Sequence, residues 1–417
     1  YHTITTTLIS WSILILQIVV VIFVPMFAVI DCKPSADLKF NQYGYFKICQ
    51  FTDLHYGNSD QLDQQTFEGQ EIILDREKPD LVVLSGDMIS GNNQRFSDPT
   101  VYKPIWDLMT LPMRSRKIPW AITFGNHDDE GVFSNRRINE LDMSYDLSLS
   151  QTGPLNLPGI SNYVLKVQSS SASPSTTSPS VYIFDSNTGY CGEEGEWGCI
   201  QSSQVAWYKN LSDHYKTPAL AFVHVAPVDA IDLWNNHEVY GDFGDSGVCC
   251  YYTDQSYFMK TMIERQDIKG LYFGHDHAND FVGDYYGISM GYGRKSGYGS
   301  YAPKYTIGAR IIQIQERTNR LTTWIRNVDG LVETQYHHLP NEQDAVARYC
   351  CGKRDNEYSG YWGIFTGLSG FLLLVSCLIQ WQFGRRKDNV GGVLGGRSLS
   401  FQLLPTTMSI NNNKPVY

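Results

Sequence analysis

Five short polar motifs in this chain carry residue types that bind metal ions. They contain five of the ten histidines, together with Asp and Asn. Histidines placed only for packing would be scattered and would not collect in this way. Imidazole, carboxylate and amide oxygen without thiolate suit Zn, Fe or Mn and not a structural cysteine site. The motifs are Asp53-Leu54-His55, Gly86-Asp87, Gly125-Asn126-His127-Asp128, His224 and Gly274-His275-Asp276-His277.

The number of these residues favours two metal ions over one. The motifs offer more ligands than a single tetrahedral ion accepts, so two neighbouring ions are the simplest interpretation. A bridging carboxylate would hold them roughly 3.5 to 4 Å apart, where two metals stabilise both the attacking and the leaving oxygen of a phosphoryl transfer. The sequence therefore predicts two divalent or mixed-valence ions (Fe, Zn or Mn) and a phosphoester substrate.

Each motif comes at or just after the end of a predicted β-strand. Short apolar runs alternate with longer helical stretches between residues 44 and 339, which predicts one α/β domain. Open α/β sheets bind ligands at the carboxyl ends of their strands. The predicted strands are Tyr45–Phe51, Leu81–Leu84, Trp120–Phe124, Val181–Asp185, Leu220–His224 and Gly270–Phe273, followed by a hairpin of Ala309–Gln315 and Leu321–Arg326. The predicted helices are Gln61–Lys78, Pro99–Met113, Phe133–Asp146, Ser203–His214 and Asp254–Arg265.

The order of the motifs resembles that of the calcineurin-like metallophosphoesterase superfamily, over roughly residues 44 to 330. Two segments, Phe273–Asp280 and Tyr292–Gly299, are similar to the purple-acid-phosphatase-like proteins of plants, fungi and protists. This resemblance implies a four-layer α/β/β/α sandwich in which two mixed sheets pack together and helices lie outside. The metals would lie along the strand ends.

The resemblance also implies a role for each motif residue. His127 would lie near the leaving-group oxygen without binding metal, and Asp128 would orient it. A metal-bound hydroxide would attack the phosphorus. The first metal would be bound by Asp53, His55 and His277, the second by Asn126, His224 and His275, and Asp87 would bridge the two.

One position departs from the purple acid phosphatases. They carry a Tyr three residues after the bridging Asp, where this chain has Ser90, and a residue that is not a ligand where this chain has His55. The two changes compensate, since an imidazole supplies the ligand that the phenolate would have provided. We therefore expect no tyrosinate-bound ferric ion.

Several further polar residues have less specific patterns. Arg294 and Lys295 follow the last motif, and they would contact substrate phosphate or lie exposed on the surface. His337 and His338 are expected on the surface. The residues that would orient the ligating histidines from behind are Asp276, Asn279 and Asp280.

Two uncharged segments predict a membrane protein. Leu8–Ile30 is long enough to cross a bilayer, as a transmembrane helix, a signal anchor or a cleaved signal peptide. Tyr361–Phe383 predicts a second transmembrane helix, and the cations that follow it predict a cytoplasmic tail over residues 384–417. The domain between the two segments is then expected outside the cell or in a lumen.

Cysteine usage and charge agree with that location. Nine cysteines favour an oxidising compartment, where Cys191 and Cys199 would form a local bridge and the doublets at 249–250 and 350–351 would bond elsewhere. Asn210-Leu211-Ser212 is a glycosylation sequon. The Ser169–Ser180 segment, rich in Ser, Thr and Pro, predicts a mobile surface loop. The formal net charge of −10 disfavours nucleic acid as a partner, and the oligomeric state has no signal in the sequence.

These observations favour a membrane-anchored metallophosphatase that acts on phosphomonoesters. The same metal centre serves phosphodiesterases, and the pocket mouth between Asp229 and Tyr252 would distinguish the two by being closed or open. A catalytically idle receptor or scaffold on the same fold is a third hypothesis. It is the least favoured, because lost catalysis usually replaces ligands and none is replaced here.

Overall fold

The computed structural model describes residues 37–170, 179–189, 197–245, 247–251, 257–301, 303–346 and 350. Within them the strands are β1 Tyr45–Phe51, β2 Leu81–Ser85, β3 Trp120–Thr123, β4 Tyr163–Lys166, β5 Ser180–Ile183, β6 Ala219–Phe222, β7 Ala226–Pro227, β8 Val239–Tyr240, β9 Cys250–Tyr251, β10 Ile268–Phe273, β11 Val282–Tyr285, β12 Ile288–Tyr292, β13 Gly308–Gln315, β14 Leu321–Asn327, β15 Val332–Glu333 and β16 His337–His338. The α-helices are α1 Asp60–Glu77, α2 Tyr102–Arg116, α3 Asn135–Asp142, α4 Ser202–Tyr215, α5 Asp229–Asn236 and α6 Phe258–Arg265.

The strands form two large mixed sheets. The first has the order β15-β14-β13-β1-β2-β3, and its β1, β2 and β3 are parallel. The second has the order β16-β8-β11-β12-β10-β6-β5-β4, and its β5, β6, β10 and β12 are parallel. The remaining strands of each large sheet pair with their neighbours in antiparallel orientation. β7 and β9 form a separate two-stranded sheet.

Alternating apolar residues explain why the sheets stack. Successive side chains of a strand point to opposite faces, so each buried strand contributes to two apolar clusters. Ile48 of β1 and Leu220 of β6 share a cluster between the sheets. Cys49 faces outwards into a cluster with α1, α2 and α3, and Ala221 faces outwards into one with α4, α5 and α6. The layers are therefore helix, sheet, sheet, helix, and the prediction of a mixed α/β fold with two sheets is confirmed.

Most predicted elements occur within a few residues of their predicted bounds. β1 has the predicted bounds, and β13 and β14 form the predicted antiparallel hairpin. The second helix begins at Tyr102 and not at Pro99, because the Asp98 side chain accepts the Thr100 amide and caps a 3₁₀ turn over Pro99–Val101. The predictions missed the helix α5. They also missed the strands of two to five residues β4, β7, β8, β9, β11, β12, β15 and β16.

The cysteines and the serine-rich segment were predicted in part. Cys250 and Cys350 form a disulfide that joins one member of each doublet. Cys199 is also disulfide-bonded, and the proposed partner Cys191 lies outside the described residues. Most of the predicted Ser169–Ser180 loop, residues 171–178, lies outside the described residues. Ser169 and Ser170 lie in no helix or strand and donate hydrogen bonds to Glu316, whereas Ser180 begins β5, so the predicted loop extends one residue too far.

Both predicted transmembrane segments, 8–30 and 361–383, lie outside the described residues, as does the 384–417 tail. In the part of the chain that the structure describes, no helix is both long enough and apolar enough to cross a membrane.

Candidate metal centre

The seven predicted metal ligands lie where the carboxyl ends of the two sheets meet. Asp53, Asp87 and Asn126 follow the parallel strands β1, β2 and β3 within three residues. His224 and His275 each come two residues after a parallel strand of the second sheet, β6 and β10. The fold therefore gathers, from two sheets, side chains that are far apart in the sequence.

The gathered side chains form two overlapping groups of ligand atoms. Asp53, His55, Asp87 and His277 each offer one atom, and these atoms all lie within 4.8 Å of one another. Asp87, His224 and His275 form a second group by the same measure. Asn126 Oδ1 lies 3.2 Å from His224 Nε2 and so joins the second group. Asp87 belongs to both groups, which is the position expected of a bridging carboxylate.

Backbone carbonyls fix which imidazole nitrogen faces the cluster. His224 Nδ1 lies 2.9 Å from the Ser85 carbonyl oxygen, and His277 Nδ1 lies 3.0 Å from the Tyr301 carbonyl oxygen. A carbonyl oxygen only accepts, so each Nδ1 carries the hydrogen and each neutral ring turns an Nε2 lone pair towards the cluster. Metal-binding histidines have this arrangement, because the second partner sets the tautomer and the orientation of the ring.

The cluster places imidazole nitrogens and carboxylate oxygens, which are electron-pair donors, close together. A bound cation would stabilise such an arrangement. His55 Nε2 lies 3.0 Å from His277 Nε2, and His277 Nε2 lies 3.5 Å from Asp53 Oδ1. His275 Nε2 is buried and has no hydrogen-bond partner among the described residues, a costly state for a polar atom. The donor set is imidazole, carboxylate and amide oxygen, so the residues present fit two ions of the Zn, Fe or Mn type.

The pKa shifts of the buried ligand residues also indicate that the cluster favours positive charge. Burial lowers the pKa of His224, but the Asp87 carboxylate outweighs it and raises that pKa to about 10. Burial raises the pKa of Asp53, but the hydrogen bond and charge of His277 hold it below its ordinary value. Burial also raises the pKa of Asp87, but the charge and hydrogen bond of His224 hold it well below its ordinary value. The buried carboxylates therefore favour positive charge at this place, which a metal cation would supply.

The backbone around the cluster is strained in a way that positions the ligands. Asp53, His55, Asp87 and His275 have φ angles of 54°, 51°, 50° and 77°, in the left-handed region that non-glycine residues seldom adopt. Each such residue costs about 1 to 3 kcal/mol, and such strain concentrates at functional sites. Gly125 is required for close approach, since a Cβ there would lie 2.2 Å from Asp87 Oδ1.

His127 lies beside the cluster and is paired with an acid that the sequence reasoning missed. Its Nδ1 lies 2.6 Å from Glu130 Oε2, and its backbone amide donates to Asp87 Oδ1 at 2.9 Å. Burial lowers the pKa of His127, but the Glu130 hydrogen bond and the Asp87 charge raise it to about 9. The side chain is 30% exposed, so it can meet a substrate as a proton donor.

Asp128 does not take the predicted role of orienting His127. Its two carboxylate oxygens accept hydrogen bonds from the backbone amides of Asp87, Met88, Ile89 and Gly125. The carboxyl is buried, and desolvation together with the Asp87 charge raises its pKa to about 7. Asp128 therefore holds the turns after β2 and β3 together, and Glu130 is the partner of His127.

Comparison with known proteins identifies the family. The sequence model of the calcineurin-like phosphoesterases matches residues 46–279, more than half of the 417-residue chain. The chain belongs to the calcineurin-like phosphoesterase family. It is 29% identical over 328 residues to a protein of Arabidopsis thaliana named probable inactive purple acid phosphatase 28, covering 70% of this chain and 80% of that protein.

Two further matches extend the comparison. Phosphatase DCR2 of Saccharomyces cerevisiae is 27% identical over 275 residues, covering 57% of this chain and 45% of its own length. The solved structure of a dimetal phosphatase from Danio rerio aligns with 71% of this chain and 99% of its own, with 15% identity and a TM-score of 0.47. Together with the ligand cluster, family membership makes the protein a metal-dependent phosphoester hydrolase.

The two cations expected near substrate are buried in this phosphoesterase, so neither is a surface residue. Arg294 is fully buried in an ion pair with Asp280 and also reaches Glu333 at 2.7 Å. Lys295 is 1% exposed, and its Nζ donates to the Asp53 carbonyl oxygen at 3.1 Å. Arg294 stabilises the fold, and Lys295 supports the turn that carries the first ligand.

The three residues expected behind the histidines act on a neighbouring loop instead. Asp276 accepts the Cys249 amide at 3.1 Å, and Asn279 accepts the Gly244 amide at 3.1 Å. Asp280 accepts the Asp242 amide at 2.6 Å. They hold the segment around residues 242–249 against the last motif.

The two late histidines differ from each other. His337 is exposed and contacts Glu238 as expected of a surface residue. His338 is buried and stacks on Trp234 with ring centroids 4.0 Å apart, so the prediction that it lies on the surface is wrong.

The contacts of several other residues at the site were also not predicted. Ser90 Oγ lies 3.3 Å from His55 Nδ1, so the residue that replaces Tyr helps to orient the ligand that compensates for it. Glu130 had a local signal, since it is an acid three residues after His127. Tyr301 and Trp197, which pack against His277 and His275, are distant in sequence and had no signal.

Proposed function

We propose that the protein hydrolyses phosphomonoesters at a centre of two metal ions. The observation that carries this proposal is the pair of overlapping ligand groups that share Asp87, with imidazole lone pairs turned into both. Asp53, His55 and His277 would hold one ion and Asn126, His224 and His275 the other. When bound, the ions would lower the pKa of a water molecule and neutralise charge on the phosphoryl oxygens.

The chain's own residues would divide the remaining work. The His127 amide holds Asp87 through Oδ1, so the carboxylate keeps one orientation between the two groups. His127, paired with Glu130, would donate a proton to the departing oxygen. The low exposure of Asp53, Asp87 and His224 excludes bulk water from the floor of the site.

The names of the relatives support a phosphatase in preference to a diesterase, since two of the matched proteins are named phosphatases. The feature expected to separate these activities, the pocket mouth between Asp229 and Tyr252, lies partly outside the described residues, so that prediction stays untested. Asp229 lies in α5 and accepts the Tyr285 hydroxyl at 3.0 Å, and Tyr252 lies outside the described residues. The Arabidopsis relative is named inactive, whereas all seven ligand-type residues are present here, which supports an active enzyme over an idle scaffold.

We also propose that the phosphatase domain is anchored to a membrane and faces the exterior or a lumen. The uncharged segments at 8–30 and 361–383, and the cations after the second, support this orientation. The disulfide between Cys250 and Cys350 is typical of proteins in an oxidising compartment.

The activity is tested with the full chain purified in detergent. We expect hydrolysis of p-nitrophenyl phosphate to exceed that of bis-p-nitrophenyl phosphate, to stop after chelation, and to return in part with Mn²⁺ or Zn²⁺. Asp146→Asn, an exposed carboxylate outside the site, is the control. Full activity after exhaustive chelation would contradict the metal mechanism, and faster hydrolysis of the diester would replace the phosphomonoesterase with a phosphodiesterase.

A further inference from the structure

The glycosylation sequon Asn210-Leu211-Ser212 lies within α4, and its two chemically important residues lie on opposite sides of that helix. An α-helix has 3.6 residues per turn, so residues two apart in sequence lie about 200° apart around its axis. Asn210 is exposed, whereas Ser212 is buried, with 4% of its surface accessible. The folded helix therefore separates the asparagine nitrogen from the hydroxyl that completes the sequon.

Hydrogen bonds to Asp267 fix the rotation of α4 about its axis. The Tyr208 and Ser212 hydroxyls, one helical turn apart, donate to the two carboxylate oxygens of Asp267, the residue before β10. Arg265 Nε donates to the Ser212 oxygen at 2.7 Å. Asn210 lies midway between Tyr208 and Ser212 in the sequence, so this anchor turns Asn210 towards the solvent-facing side of the helix.

The Ser212 hydroxyl is not available to an enzyme in the folded protein. Its hydrogen is donated to Asp267, its oxygen accepts from Arg265, and the residue is buried. A sequon is recognised by its asparagine together with the hydroxyl two residues later. Residues two apart lie on one side of an extended chain but on opposite sides of α4. The sequon is therefore readable only before α4 forms and packs against the start of β10.

We propose that Asn210 carries an N-linked oligosaccharide, attached to the nascent chain before α4 packs, and that Ser212 afterwards becomes part of the anchor at Asp267. The proposal rests on the exterior or luminal orientation proposed above. In the transfer, the Asn210 side-chain nitrogen forms a bond to C1 of the first sugar of a lipid-pyrophosphate-linked oligosaccharide. The bond from C1 to the pyrophosphate oxygen breaks, and the lipid pyrophosphate leaves with its electron pair. The amide nitrogen loses one proton to a base of the transferase.

The test translates the full chain in the presence of secretory membranes and measures the electrophoretic shift that peptide N-glycosidase reverses. We expect one shift in the wild type and none in Asn210→Gln or Ser212→Ala. Ser212→Thr keeps the hydroxyl and should keep the shift. The nascent chain is modified before it folds, so a variant that folds poorly is still scored. Gln343→Ser completes a second sequon at the exposed Asn341 and reports whether the domain enters the lumen.

A second measurement tests the order of events. The chain is made without glycan in a bacterial host and is offered to purified oligosaccharyltransferase with the lipid-linked donor. We expect no transfer to Asn210 of the folded chain, and transfer after the chain has been denatured, reduced and alkylated. Equal transfer to both forms would overturn the requirement for an unfolded sequon.

The outcomes separate the glycan from the orientation on which it depends. If Gln343→Ser gains a shift at Asn341 while the wild type shows none, the domain is luminal and the glycan at Asn210 is refuted. If neither sequon is modified, the domain does not enter the lumen and both proposals fail. A shift that survives Ser212→Ala would also overturn the proposal, since the modification would then not be read through the Ser212 hydroxyl.

Discussion

The pair formed by His127 and Glu130 makes a prediction about pH dependence. The His127 imidazole is a proton donor only while it is protonated, and the Glu130 carboxylate at 2.6 Å stabilises that form. Burial works against the charge, but Glu130 and Asp87 raise the pKa of His127 to about 9. Activity that depends on this donor is therefore retained below that pKa and lost as the pH rises through it. Glu130→Gln should move the loss to lower pH.

The size of the shift follows from the exposure of the pair. The side chains of His127 and Glu130 are 30% and 36% exposed, so solvent screens their attraction. Pairs of this kind contribute about 0.2 to 1 kcal/mol. Since 1.36 kcal/mol corresponds to one pKa unit, the alkaline limb should move down by roughly 0.5 unit. The Asp87 contribution is the same in both proteins, so the comparison isolates Glu130.

The assay is the pH profile of kcat with an alkyl phosphate, whose poor leaving group needs the proton most. p-Nitrophenyl phosphate needs it less and should show little change. Glu140→Gln removes an exposed acid of α3 and serves as the matched control. Metal content must remain at two ions in each variant. An alkaline limb that does not move in Glu130→Gln would refute the proton-donor role, and equal shifts on both substrates would indicate charge stabilisation instead.

Three further predictions concern the metals and the topology. Asp87→Ala should lose both ions, because Asp87 lies in both ligand groups, whereas Asn126→Ala should weaken the binding of mainly one ion. Metal analysis of each variant checks this, and equal losses in the two variants would contradict the bridging role of Asp87. With Ser90 in place of a tyrosine ligand, the iron-loaded protein should lack a strong visible charge-transfer band, and an intensely purple preparation would show the assignment to be wrong. An epitope placed after Phe383 should bind antibody only in permeabilised cells, and labelling of intact cells would reverse the proposed orientation.

Local sequence patterns were sufficient for the core strands and for the types of ligand. β1 and the hairpin of β13 and β14 were predictable because their side chains alternate between two apolar environments or between an apolar and a polar one. Asp53 and Asp87 could be assigned to the edge of a sheet because each closely follows a buried run. Gly283 and Asp284 interrupt the apolar pattern of β11, and Ser289 and Gly291 interrupt that of β12, so neither short strand had the continuous apolar run that marked the core strands.

The sequence by itself determined which residues are available for chemistry and near which strand end each one lies, since both depend on neighbours a few positions away. The tertiary structure alone decided which of them meet and what lies behind them. The tautomer of His224 depends on a carbonyl 139 positions earlier, and Arg294 forms ion pairs with Asp280 and with Glu333 of β15. Tyr301 lies against His277, which is 24 positions earlier in the sequence. Such contacts join segments that share no local pattern, so only the packing of the two sheets against each other specifies them.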